Sequence, residues 1–112
     1  QIHECLWTMS EKIVVTGFGP FAGHPINASW ESVKLLPKYW QNSNVDLIID
    51  EIPVNYEFIQ NQMTSKWQDQ NAVFFVHVGV SHLANNVQLE TLAHNKTYDR
   101  PDVEDKCPDG QW

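Results

Sequence analysis

Val14-Val15-Thr16-Gly17-Phe18-Gly19-Pro20-Phe21 carries a β-branched run directly into a turn in which two phenylalanines stand around Gly and Pro. Residues 12–16, bounded by Gly17, suit a buried parallel strand. Glycines open backbone conformations and close approaches that other residues forbid, whereas Pro20 removes an amide donor and fixes its own φ. A packed core does not require this order. The stretch therefore reads as a strand that delivers a ligand-binding loop at its carboxyl end.

The elements that follow set that strand in a layered fold. Asn27 or Ser29 is placed to cap a helix reaching about residue 39, with Glu31 in its first turn. Trp30, Val33 and Leu36 or Pro37 share one side at helical spacing, and Pro37 weakens the last turn. Residues 45–52, apolar apart from Asp46, Asp50 and Glu51, predict a second strand ended by Pro53. Tyr56, Ile59, Met63 and Trp67 recur at i, i+3, i+7 and i+11, the stripe of an amphipathic helix. Residues 72–78 form the most hydrophobic segment and a third strand, closed by Gly79-Val80-Ser81. Residues 87–93 alternate apolar and polar side chains, which predicts a fourth strand with one wet face. Strands alternating with helices imply right-handed βαβ crossovers. The expected fold is α/β, a three-layer α/β/α domain with a central, mostly parallel (mixed) sheet. No internal repeat, low-complexity tract or dividing linker interrupts it.

A length of 112 residues with 42% hydrophobic content fits one small globular domain. Acids outnumber Lys and Arg 14 to 7, a formal charge of −7, which argues against nucleic acid or an anionic membrane as principal partner. Cys5 and Cys107 lie near opposite ends and neither belongs to a C-x-x-C pair, so neither a disulfide framework nor a cysteine zinc site is expected. The apolar run at 73–80 is too short to span a bilayer, and residues 1–8 lack the apolar centre of a secretory signal. The expectation is a cytoplasmic protein, in which the sequons Asn27-Ala28-Ser29 and Asn95-Lys96-Thr97 are accidental. Residues 1–8 read as a non-native leader before a start at Met9. Asp109-Gly110-Gln111-Trp112 ends the chain in a Pro, Gly and Asp-rich loop that closes no core, so residues 9–112 read as the N-terminal part of one C-terminally truncated domain.

Several blocks carry a resemblance. Thr16-Gly17-Phe18-Gly19-Pro20-Phe21, Gly23, Asn27-Ala28-Ser29-Trp30, Glu51-Ile52-Pro53-Val54, Val76-His77-Val78-Gly79-Val80, Leu89-Glu90 and His94-Asn95-Lys96 follow one another at plausible spacing over residues 12–98. Together they resemble the pyroglutamyl peptidase I family of cysteine peptidases, in its animal form. The resemblance implies an omega peptidase that removes pyroglutamate from the N-terminus of peptides with a Cys-His-Glu triad and neither metal nor organic cofactor.

It also implies roles for individual residues. Phe18 and Phe21 would enclose the flat lactam ring, and Val80 would meet the lactam edge through its backbone amide and carbonyl. Bacterial members typically carry Gln at the position of Val80, so only the backbone role carries over. A neutral lactam has apolar faces and polar edges, so aromatic walls with backbone hydrogen bonds recognise it without charge. Glu90 matches the triad acid, which orients the imidazole, fixes its tautomer and stabilises the imidazolium. The family's cysteine lies in an Ala-Gly block beyond Trp112, and its histidine further still. Cys107 sits among acids in a loop that offers no base, and His94 fits the His-Asn-Lys block rather than the catalytic histidine. The 112-residue chain alone is therefore expected to be inactive.

Three other readings were weighed against this one. Gly17-Phe18-Gly19-Pro20-Phe21-Ala22 formally satisfies G-x-G-x-x-A after a strand, but Pro20, Phe21 and Pro25 crowd the turn before any helix opens. No acid stands about 20 residues on at the end of a second strand, as a dinucleotide site requires. A metal site on His77, His82, Glu90 and His94 lacks the H-E-x-x-H arrangement, which favours structural histidines. A catalytically silent, pyroglutamyl-peptidase-like binding protein remains open, because nucleophile and base lie outside these residues.

Overall fold

The computed structural model describes residues 11–63, 65, 68, 72–92, 102–104 and 106–107. The proposed leader and start at Met9, the side chain of Trp67, the His94-Asn95-Lys96 block and residues 108–112 lie outside them.

Strand β1 (Glu11–Phe18) is the centre of a three-stranded sheet of order β2-β1-β3, with β2 at Val45–Ile52 and β3 at Phe74–His77. Both pairings are parallel, running from Glu11 opposite Val45 to Phe18 opposite Ile52, and from Ile13 opposite Phe74 to Thr16 opposite His77. Val14, Val15, Thr16 and Gly17 are buried in succession, as a strand covered on both faces requires. The ladder to β3 continues beyond each end, where Val73 N–H donates to the Lys12 carbonyl at 2.9 Å and Val78 N–H to that of Thr16 at 2.8 Å. β1 runs past Gly17 to Phe18, and Gly19 N–H extends the link to β2 by donating to the Ile52 carbonyl at 2.9 Å.

From β1 the chain crosses to β2 on one side, then returns past β1 to β3 on the other. With the right-handed crossovers that parallel strands take almost without exception, this order puts the two connections on opposite faces of the sheet, the arrangement of a three-layer fold. The order in which strands are added reverses between β1 and β3, and it is at the carboxyl ends of such a strand pair that open α/β sheets bind their ligands.

The first connection holds α1 (Ala28–Val33) and α2 (Leu36–Tyr39) rather than one helix. Pro37 explains the break: it has no N–H to give and its ring would press on the carbonyl of Val33. It sits instead in the first turn of α2, where neither defect matters. Val33 on α1 joins Val14, Val15, Ile52 and Met63 in the core. A Cβ on Gly17 would stand 2.7 Å from Trp30 Cα and 2.8 Å from Trp30 N, so the backbones of β1 and α1 approach at a distance only glycine allows.

The second connection opens with α3 (Tyr56–Phe58) and a π-helical turn (Ile59–Met63), which buries Met63. Asn55 caps α3 by accepting from Phe58 N–H at 2.8 Å. Asp102 adds a second, long-range cap, accepting from Tyr56 N–H at 2.8 Å, while Val103 N–H donates to the Val54 carbonyl at 2.9 Å. The other Asp102 oxygen accepts from Glu104 and Lys106 amides at 2.8 and 3.0 Å. What burial Asp102 has pushes its carboxyl up, but the Tyr56, Lys106 and Glu104 amides and the Lys106 charge prevail and hold it below the usual 3.8.

The expected fourth strand does not form over the described residues 87–92, which are irregular. Val87 is 96% and Leu89 90% exposed, and among the described residues β3 pairs with β1 alone. Alternation describes a strand's two faces, but a strand needs a partner ladder and a buried face to hold it. Among the described residues, no helix is long and apolar enough to cross a membrane.

Candidate active site

The loop after β1 is clamped by the start of α1. Asn27 and Ser29 are almost wholly buried, and buried polar groups must find partners. Asn27 Oδ1 accepts from Ser29 N–H at 3.0 Å, capping the helix, and from the Ser29 hydroxyl at 2.7 Å. Ser29 Oγ in turn accepts from Phe18 N–H at 2.9 Å, and Asn27 Nδ2 donates to the Gly19 carbonyl at 3.0 Å. With Gly19 N–H bonded to Ile52, the Phe18 N–H and both polar groups of Gly19 are engaged by the scaffold. The loop therefore offers the Phe18 ring at the strand end, rather than those backbone groups. Glu51 lies beside it: a Cβ on Gly19 would be 3.0 Å from Glu51 Oε1.

Phe21 belongs to a tight turn of its own. Its N–H donates to the His24 carbonyl at 3.1 Å, and His24 N–H returns the bond to the Phe21 carbonyl at 2.6 Å. Ala22 and Gly23 between them have φ of 26° and 77°. Gly23 adopts this at no steric cost, whereas Ala22 is strained. The Phe21 ring lies against the His24 imidazole, with centroids 4.9 Å apart.

The third strand brings the opposing wall. Continuing the β1–β3 register past Thr16 and His77 sets Phe18 opposite Gly79, and the Phe18 ring edge is 3.9 Å from where a Gly79 Cβ would stand. Val80, next in the chain, is 54% exposed. One rung below, Thr16 Oγ1 and His77 Nδ1 share a 2.7 Å hydrogen bond, and the Phe75 ring stacks on that of His77 with centroids 6.4 Å apart. Burial lowers the His77 pKa below the usual 6.5 and so favours the neutral imidazole.

Of the residues singled out from the sequence, Phe18 meets Gly79 beside Val80 at the strand ends where the order of strand addition reverses. Phe21 stands on its own turn. Glu90 lies on the exposed segment between Leu89 and Leu92, and no hydrogen bond or ring contact among the described residues ties it or Phe21 to the Phe18–Gly79 contact. Three features were not read from the sequence: the Asn27–Ser29 clamp, the Glu51 side chain over Gly19, and the Thr16–His77 pair. The clamp had a usable signal, since Asn27 and Ser29 compete for one cap and the loser is left a buried hydroxyl beside β1. The Thr16–His77 pair had none, because it depends on strand register. Among the described residues, no group of three His, Cys, Asp or Glu side chains could hold a metal ion.

Comparison with known proteins bears on the family and the fold. The family described as pyroglutamyl peptidase matches residues 11–111. Pyroglutamyl-peptidase 1 of Rattus norvegicus and of Homo sapiens are each 44% identical to this chain over 101 residues, which cover 90% of it and 48% of the relative. A pyrrolidone-carboxylate peptidase of Thermococcus kodakarensis is 31% identical over 96 residues, covering 78% of this chain and 46% of the relative. The crystal structure of pyroglutamyl peptidase I from Bacillus amyloliquefaciens superposes with a TM-score of 0.75 at 25% identity, over 89% of this chain and 48% of that one. The chain thus spans about half the length of the relatives it matches.

Proposed function

Because this chain belongs to the pyroglutamyl peptidase family, we propose that it supplies the lactam-recognition wall and the triad acid of a cysteine peptidase that removes pyroglutamate from the N-terminus of peptides. The observation that carries this reading is the Phe18 ring set against Gly79 at the topological switch point. An aromatic ring beside the exposed Val80 matches a flat, neutral lactam with apolar faces and polar edges. Phe21 closes the slot from the other side, and Val80 N–H and C=O meet the lactam edge.

In this reaction a cysteine thiol outside the chain loses its proton to a histidine, also outside it, and the thiolate attacks the carbonyl that joins pyroglutamate to the next residue. The histidine passes the proton to the departing amine, and water then hydrolyses the thioester. Glu90 holds the imidazole in the tautomer that accepts this proton and stabilises the imidazolium. A Cys-His pair supplies nucleophile and proton transfer by itself, so the reading requires no metal or organic cofactor. The working setting is the cytosol, where a reactive thiol stays reduced.

A pyroglutamyl-anilide assay on the full-length protein tests the proposal. Glu90→Gln is expected to lower kcat by about 10²–10⁴-fold, the usual range for losing the orienting acid of a triad. Residues 1–112 alone are expected to release no pyroglutamate. Turnover by residues 1–112, or an unchanged rate in Glu90→Gln, overturns the assignment. Binding of pyroglutamyl peptides without turnover marks a silent binding protein instead.

A further inference from the structure

Thr16 is 2% exposed, so its hydroxyl is costly unless bonded, and its partner comes from the neighbouring strand. Side chains alternate along a strand, so residues two apart share a face. Thr16 and His77 are register partners, which puts their hydrogen bond on the face that carries Phe18, one rung below the contact of the Phe18 ring with Gly79. Asp50 is the β2 member of the same row. β1 is paired on both sides, whereas β3, four residues long, is paired with β1 alone among the described residues, and its first residue Phe74 is 59% exposed. Beyond the end of β3 the Val78–Thr16 backbone bond continues the ladder, and Gly79 and Val80 follow at once. A lateral slip of this strand end would carry Val80 away from Phe18.

We propose that Thr16 and His77 are positioning residues for the lactam slot: the Oγ1–Nδ1 hydrogen bond holds the end of β3 to β1 and so sets the spacing between the Phe18 ring and the Val80 backbone. This rests on the pyroglutamyl reading of the same strand ends. Neither side chain touches a reacting atom. Their loss therefore weakens binding and leaves the chemical step intact.

The test uses the full-length protein with Thr16→Val, Thr16→Ser, His77→Leu and His77→Asn, where the Asn Oδ1 replaces Nδ1 as acceptor. Thr16→Val and His77→Leu are expected to raise KM for a pyroglutamyl anilide about 5–30-fold with kcat within about twofold, and Thr16→Ser and His77→Asn to restore KM. Val14→Ala, two residues away on the same face, controls for general loosening of the sheet. It should lower Tm without moving KM. The Gly79 amide proton, which feels the ring current of Phe18, should shift in Thr16→Val and return in Thr16→Ser, with no substrate present. An unmoved KM and Gly79 signal in Thr16→Val, failure of both conservative variants to restore them, or an equal rise of KM in Val14→Ala overturns the proposal. If the wild type hydrolyses no pyroglutamyl substrate, the functional reading fails, and the Gly79 shift still decides whether this pair positions Phe18.

Discussion

The loop after β1 and the segment after β3 leave the same end of the sheet under very different control. Phe18 and Gly19 are bonded to buried Ser29, Asn27 and Ile52. After β3, the bonds over residues 81–84 are local and long, from Leu83 N–H to Ser81 Oγ at 3.3 Å and from Ala84 N–H to the Ser81 carbonyl at 3.4 Å, and Val87 and Leu89 are almost fully exposed. The Phe18 loop and the Glu90 segment are thus equally plain as motifs and unequally built. The loop is preorganised by a helix start that follows it closely in sequence.

Removing the clamp is the most direct way to break this contrast. Asn27→Ala deletes the α1 cap and leaves the Gly19 carbonyl and the Ser29 hydroxyl without their buried partner, at an expected cost of about 2–4 kcal/mol in denaturant unfolding. A cost near zero would mean that the two loops are alike. Gly17→Ala should cost about 1–3 kcal/mol by forcing α1 away from β1, since its Cβ meets Trp30 backbone rather than a side chain that could swing aside. Val87→Ser, at a 96% exposed position, should stay within about 0.5 kcal/mol in the 112-residue chain.

Asp102 offers the finest test, because its clamp on α3 is long-range yet hydrogen-bonded like that of Phe18. Its folded pKa lies below the usual 3.8, so its contribution is complete above that value and is lost as pH falls through the folded pKa. Amide exchange at Tyr56 and Lys106 should therefore accelerate below about pH 4, while exchange at Phe18 and Gly19, held by uncharged partners, should show no matching step. His77 has the same sign at higher pH. Its depressed folded pKa adds stability above the usual 6.5 that is lost as pH falls through the folded value, and an NMR titration should place its midpoint below 6.5.

Much of the scaffold was legible because it depends on neighbours in the chain. β2 spans the expected residues 45–52, since Asn44 and Pro53 punctuate a β-branched run on both sides. β1 was read short at Gly17, where a glycine that ends many strands here serves a close helix contact. The helix expected to about residue 39 is two, because Pro37 fits a first turn and not a helix interior. The alternation at 87–93 pointed to a strand that residues 87–92 do not form, because pattern alone cannot supply a ladder partner. At the site, the aromatic loop at the carboxyl end of β1 was legible. The bonds of its backbone to Ser29 and Asn27 were not.

By itself, the sequence determined where β1 and β2 run, where α1 starts, that an aromatic loop leaves a strand end, and which family's blocks the chain carries. All of these follow from short-range periodicity, turn chemistry and residue identity. Only the tertiary structure decided that β1 lies between β2 and β3, that Phe18 faces Gly79, and that Thr16 bonds to His77 across 61 positions. Parallel strands meet through crossovers, and their register is chosen by the packing of whole faces, so no local run of residues encodes which side chains will touch.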